Sequence, residues 1–430
     1  MAETRFASND ATPRGSGVGR VRWGICALLF FATTINYIDR QMISVLKPTL
    51  QGEYGWTETT YANIVFSFQL AYAIGYVVFG RLIDKLGARF GYSLAAVIWG
   101  FAAMAHAGAN NAWHFIIARF ALGIGESGNF PAGVKAVAEW FPKKERAFAI
   151  GIFNAGANVG AILTPLMAPF LVMWFGWRVA FILTGAIVFI WVAVWWIVYR
   201  SPRDKKNLSQ AELEYIESDP ADAPGEVKWL PLLRHRQTWA YAVGKFMIDP
   251  IWWFFLFWLP DFFSKQHGLD LKTFGPPLAA IYILSDVGSV GGGWLSSKLI
   301  KRGWSVNAGR KMAMLVCALC VPPVMLAPGI DNVWGAVLLI GLATAAHQGF
   351  SANLYTLPSD LFPRKAVGAI IGIGGTIGAI GGMFMAKFTG WVLDATGSYT
   401  PMFVLAGSSY LLALLFIHLL VPRMEEVQGI

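Results

Sequence analysis

Apolar residues in this chain come in continuous blocks of about twenty, separated by short polar breaks, and twenty apolar residues are what a helix needs to cross a bilayer. The blocks fall near 23–46, 59–80, 90–108, 112–134, 147–171, 177–199, 238–262, 275–298, 311–329, 333–356, 366–388 and 399–421. They do not alternate in the ten-residue pattern of a membrane barrel. The pattern therefore predicts an all-α membrane protein with twelve transmembrane helices in two six-helix halves. The longest polar break, 200–236, separates six blocks from six. It contains "LSQAELEYI", which reads as a short surface helix with Ser209 as its N-cap. The division that follows is a tail over 1–22, a bundle over 23–199, a linker over 200–237, a second bundle over 238–422 and a tail over 423–430.

Composition agrees with this reading. The 430 residues are 56% hydrophobic and 14% charged, with mean hydropathy +0.52, whereas soluble domains carry roughly 25% charged residues. No cleavable leader is legible, because 1–22 is polar and the first apolar block is long for a signal sequence. Charge sets the expected orientation. If both termini are cytoplasmic, the segments on that side hold 26 of the 34 basic residues, the positive-inside pattern. The net charge of +9 then reports topology, and a nucleic-acid partner is not expected. Cys317 and Cys320 form a CxxC inside an apolar block without other good ligands, so they read as packing residues, with no metal and no disulfide framework.

The two halves repeat. "FPKKERAFAIGIFNAGANVGA" (141–161) aligns without gaps on "FPRKAVGAIIGIGGTIGAIGG" (362–382), an offset of 221. Internal repeats of this kind build transporters whose site lies near the midplane where the repeats meet. Small residues at helical spacing, Gly151, Gly156 and Gly160, then Gly368, Gly372, Gly375, Gly378 and Gly382, predict faces on which helices pack closely.

"GRLIDKLGAR" (80–89), echoed by "GWLSSKLIKR" (293–302), resembles the loop motif of the major facilitator superfamily through Gly80, Asp84, Gly87 and Arg89. "NYIDRQ" (36–41), "RFALGIGESGNFPAGVKAVAEWFP" (119–142), "DPIWWFFLFWLPDF" (249–262) and "HQGFSANLYTLPSDLFP" (347–363) resemble the anion:cation symporter family. Within it they are most like the bacterial hexuronate transporters. The resemblance implies a secondary transporter of the bacterial inner membrane, working as a monomer, that carries glucuronate or galacturonate with protons. It implies the first-helix acid Asp39 and the fourth-helix acid Glu126 as coupling residues.

The charges inside the predicted spans fit that expectation. They are Asp39, Arg40, Arg119, Glu126, Lys245, Asp249, Asp286 and His347, and intramembrane charges usually mark a pathway. Arg119 and Glu126, seven apart, share a helix face about 10 Å apart along the axis. Asn36 and Arg40 share another, with Asp39 rotated about 100° from Arg40. Arg40 and Arg119 are expected to meet a carboxylate, since a guanidinium fork matches it. Asp39 and Glu126 are expected to carry protons, because burial and a neighbouring arginine push a carboxyl in opposite directions.

Tyr37 and Tyr72 match positions that contact substrate in the resembled family, and Asn158 is a further candidate, sharing its face with Asn154. The repeat places His347 at the position of Glu126, so His347, Gln348 and Asn353 are candidates for sugar hydroxyls. Trp252 or Trp253 could face a sugar ring. Lys245 and Asp249, at i and i+4, read as a pair. Arg81, Asp84, Arg89, Glu139 and Arg146 are expected, from the superfamily resemblance, to form a cytoplasmic gate.

No Walker loop, HExxH or nucleophile elbow is present in the sequence, so neither a cofactor nor enzymatic activity is expected. The alternatives are symport of an aldonate such as galactonate or another organic anion and, more remotely, a membrane sensor or an intramembrane enzyme.

Overall fold

The computed structural model describes residues 19–218 and 229–427. The first part of the tail (1–18), the middle of the linker (219–228) and residues 428–430 lie outside the described residues. All regular structure among the described residues is helical.

Nine of these helices are long and apolar enough to cross a membrane. Two of them, Glu58–Gly108 and Phe148–Val198, run through glycines with positive φ, Gly87 at 76° and Gly176 at 78°. No helix continues through such a residue, and only glycine adopts it without strain. Each therefore holds two spans joined at a corner: the second and third, and the fifth and sixth. The fourth span consists of Ala112–Glu126 and Asn129–Trp140, broken at Ser127 and Gly128. With the first (Val21–Tyr54) and the seventh to twelfth (Arg236–His267, Gly275–Lys301, Val306–Gly329, Val333–Leu361, Arg364–Thr396, Thr400–Leu420) the spans number twelve.

The first helix is longer than its apolar run, which stops at residue 46. It continues to Tyr54 because Lys47 is buried between acidic partners. The linker helix spans Gln210–Ile216, with Ser209 Oγ accepting from the Glu212 N–H at 3.2 Å. Buried Glu212 accepts from the backbone of Val21 and Arg22 at 3.3 and 3.2 Å. This docks the helix on the start of the first span.

Glycines bring the site-bearing helices together. A Cβ at Gly160 in the fifth span would lie 2.7 Å from Cβ of Tyr37, and one at Gly382 in the eleventh would lie 2.9 Å from the Trp253 ring. Neither position leaves room for a side chain. Both clamp an aromatic residue toward the middle of the bundle.

The two ends differ. At the end away from the termini, Lys47 Nζ bridges Glu58 and Asp261, at 2.6 Å to each, and Lys265 contacts the same two acids. Asp394 of the eleventh span accepts the N–H groups of Glu58 and Thr59 at 2.9 and 2.8 Å, capping the second span from the opposite half. Tyr61 donates to the Phe257 carbonyl at 2.9 Å. At the end carrying the termini, the ion pairs among the described residues stay within one half, within the linker, or join the first half to the linker helix. Positions such as Gly80, Gly151, Gly368 and Gly375 face open space. The space between the halves is closed at one end and open at the other.

Candidate functional site

Arg40 lies at the centre, one helical turn from Tyr37. Its Nε donates to Glu126 Oε2 at 2.8 Å and its Nη2 to Asn36 Oδ1 at 3.1 Å. Aromatic rings surround the guanidinium: Tyr37 at 4.6 Å, Tyr72 at 4.9 Å, Phe68 at 5.4 Å and Trp253 at 5.6 Å from its central carbon. Three rings come from the first half and Trp253 from the second. The cage shields the charge laterally, where cation–π attraction partly offsets lost hydration. The Tyr72 hydroxyl stands beside the guanidinium, and among the described residues no acid besides Glu126 pairs with it, so the side of the fork away from Glu126 is available to an anion.

Glu126 is placed by the break in the fourth span, as the last residue of Ala112–Glu126. Its Oε1 is buried without a partner. Asp39, on the adjacent face of the first helix, accepts from Trp99 Nε1 at 3.1 Å, while its Oδ1 has no partner and no cation among the described residues lies at ion-pair distance. Thr184 of the sixth span stands beside it. Asp39 thus points away from the Arg40–Glu126 pair, as the 100° step between residues 39 and 40 requires.

Arg119 does not meet the expectation that it contacts the cavity. It is fully buried, and its Nη1 donates to the Arg40 carbonyl at 3.0 Å while Nε and Nη2 lack partners. The cause is the face it shares with Glu126, which turns both toward the first helix. Arg119 is a fixed positive charge behind Arg40. Orphaned polar atoms are rare in protein interiors, and here five belong to one cluster: Asp39, Glu126, Asn36 and two on Arg119.

In the second half, His347 Nδ1 is 2.6 Å from the Tyr410 hydroxyl, and its ring stacks on Trp252 at 5.1 Å. Trp252 covers it. Asn353 donates to the carbonyls of Gly292 and Gly349 at 3.0 and 2.9 Å and is buried. Its Nδ2 ties the eighth span to the tenth, while its Oδ1 is buried without a partner. Gln348 is partly exposed and has no protein partner among the described residues. The same holds for Asn158, while Asn154 is the more exposed of the pair.

Of the expected gate residues, Asp84 is exposed and 3.6 Å from Lys135, Arg89 donates to the Trp196 carbonyl at 2.5 Å, and Glu139 accepts from Tyr199 at 2.6 Å. Arg146 bonds the carbonyls of Phe141 and Ala138, and Arg81 is exposed. These contacts lie in the first half.

Several residues were not singled out from the sequence. Gln41, four after Tyr37, approaches the Tyr282 hydroxyl across the half interface. Gln69, three before Tyr72, is buried with both amide atoms unpartnered beside Gly382. Lys47, seven after Arg40, anchors the closed end. Helical spacing from Arg40 and the two tyrosines was the available signal.

The fold and this charged centre define a membrane transporter. The family model described as Major Facilitator Superfamily matches residues 29–386, and the chain belongs to that superfamily. It is 33% identical to the hexuronate transporter of Escherichia coli K12 over 92% of this chain and 93% of that protein. It is also 33% identical to the galacturonate transporter of Dickeya chrysanthemi, over 79% and 97%. The D-galactonate transporter of Escherichia coli O6:H1 is 28% identical over 95% and 97%. The crystal structure of a bacterial homolog of the human lysosomal transporter Spinster, inward-facing and occupied, superposes with a TM-score of 0.77 at 18% identity, covering 95% of this chain and 98% of that one. That likeness concerns fold alone.

Proposed function

We propose that this protein imports a hexuronate such as glucuronate or galacturonate together with protons, by alternating access. The observation that carries the reading is the single ion pair Arg40–Glu126 inside an aromatic cage, with no second acid on the guanidinium among the described residues. A substrate carboxylate and Glu126 compete for one cation. Protonating Glu126 ends its ion pair and releases the fork to the substrate. Losing that proton on the other side lets Glu126 retake Arg40 and expel the anion. Asp39, with no cation at ion-pair distance, is the second proton carrier. Arg119 supplies a fixed positive charge for whichever acid has lost its proton.

The membrane is the bacterial inner membrane, and the protein acts as a monomer with both termini cytoplasmic, as the basic residues indicate. The arrangement described is then open to the cytoplasm, with the Lys47–Asp261 cluster sealing the outside and the charged loop residues drawn apart. Arg81, Asp84, Arg89, Glu139 and Arg146 would meet the second half when the outside opens. Transport of a galactonate-like acid is the alternative, supported by the match to a galactonate transporter.

The test is uptake of labelled glucuronate and galacturonate into proteoliposomes, with and without an inward proton gradient, competed by galactonate. Accumulation above equilibrium that rises as the outside is acidified is the expected outcome. Driven uptake of galactonate in place of hexuronate would replace the substrate. Absence of any driven acid uptake would overturn the coupling.

A further inference from the structure

Across the central space from Arg40, the seventh span carries a second charge pair that the reading above does not use. Lys245 Nζ lies 2.7 Å from Asp249 Oδ2 and donates to the Tyr355 hydroxyl at 2.8 Å, over a ring whose centroid is 4.3 Å away. Lys245 is within electrostatic reach of Tyr37 and Tyr76 of the first half, so the pair faces the cage around Arg40. Tyr355 is 46% exposed, and the Asp249 side chain 14%. Asp249 lodges against Gly378, where any Cβ would strike its carboxylate. That contact fixes the carboxylate in place.

Lys245 and Asp249 lie four apart on one helix, so their ion pair does not itself join two helices, and a buried pair gains little stability over apolar packing. The pair also has unused capacity. Lys245 has three N–H donors, two of them engaged, and Asp249 Oδ1 has no protein partner among the described residues. One free donor beside one free acceptor matches neighbouring hydroxyls on a sugar, each of which can both give and receive a hydrogen bond. The pair is neutral overall, and its exposed edge is a carboxylate.

We infer that Lys245, Asp249 and Tyr355 hold the hydroxyl-bearing end of the substrate and exclude acids carrying a second carboxylate there. This rests on the proposal that Arg40 takes the first carboxylate. Specificity of this kind comes as much from repelling the wrong ligand as from holding the right one. An aldarate would bring its far carboxylate against Asp249, with Lys245 already neutralised.

The experiment measures thermal-shift binding of galacturonate and galactarate to purified full-length protein. Wild type is expected to be stabilised by galacturonate and not by galactarate. Asp249→Asn leaves Lys245 without its counter-charge and should bring galactarate affinity up by about tenfold or more, while galacturonate binding weakens. Lys245→Gln combined with Asp249→Asn should lose that gain. Continued exclusion of galactarate by Asp249→Asn, with galacturonate binding unchanged, would overturn the inference. If Asp249→Asn does not purify as a monodisperse protein, Tyr355→Phe decides. It should weaken galacturonate by about fivefold at unchanged melting temperature, and unchanged affinity overturns the inference. Wild type that binds neither acid would instead remove the underlying reading, and this inference with it.

Discussion

The two halves share a fold and part of a sequence, yet they treat buried polarity differently at one pair of matching positions. At matching positions, 221 apart, the first half carries Glu126 and the second His347. Glu126 is paired with Arg40 and keeps an orphaned oxygen. His347 is bonded to Tyr410 and covered by Trp252. Unmet valences gather around Glu126, where Asn36, Asp39 and Arg119 contribute four more, whereas near His347 the Asn353 Nδ2 donates to two carbonyls and its Oδ1 is left without a partner. Satisfied polar groups fix one geometry. Partly satisfied ones leave alternatives close in energy, which a proton carrier must have. On the proposed function, the first half would do the proton chemistry and the second would supply walls and hydroxyl recognition.

The sharpest way to break the comparison is at Arg40. Arg40→Lys keeps a charge but loses the fork, and driven uptake should fall about 100-fold or more. Arg40→Gln leaves Glu126 buried without its cation, which should destabilise the protein by about 3–5 kcal/mol. Adding Glu126→Gln should restore the melting temperature and leave transport absent. If stability is not regained, the pair is not the energetic unit described here.

A smaller effect is expected at the closed end. Asp261→Asn removes one of the two acids that Lys47 bridges. The outward-open population should rise, and an impermeant thiol reagent should label a cysteine placed at Gln69 from outside about tenfold faster than in a cysteine-substituted parent. Unchanged labelling would mean that the cluster does not hold the halves together.

The surroundings of His347 should be the most tolerant. His347→Gln should keep driven uptake within about threefold, and Asn353→Ala should cost about 1–3 kcal/mol of stability without altering substrate preference. Loss of proton coupling in His347→Gln would dissolve the contrast between the halves.

The spans, their halving and the charged centre were legible because hydrocarbon penalises polarity so heavily that each exception stands out. Asp39, Arg40 and Glu126 are such exceptions. What stayed hidden depends on rotation and on partners distant in sequence. Whether Arg119 points into the cavity or behind Arg40 is set by how the fourth span packs on the first. Asn353 reads as a hydroxyl ligand until Gly292, 61 residues away, is seen to lie against it. The seal formed by Lys47, Glu58, Asp261 and Asp394 draws on four separate segments, and nothing in any one of them announces the others.

The central claim is that a proton on Glu126 and a substrate anion on Arg40 are exchanged for one another. The most direct test compares two modes of transport by Glu126→Gln in proteoliposomes: accumulation driven by a proton gradient, and exchange of labelled for unlabelled hexuronate without one. The amide imitates the protonated acid, so exchange should persist while gradient-driven accumulation disappears. Full gradient-driven accumulation in this variant would contradict the account, because Arg40 would then release its substrate without Glu126 ever reclaiming it.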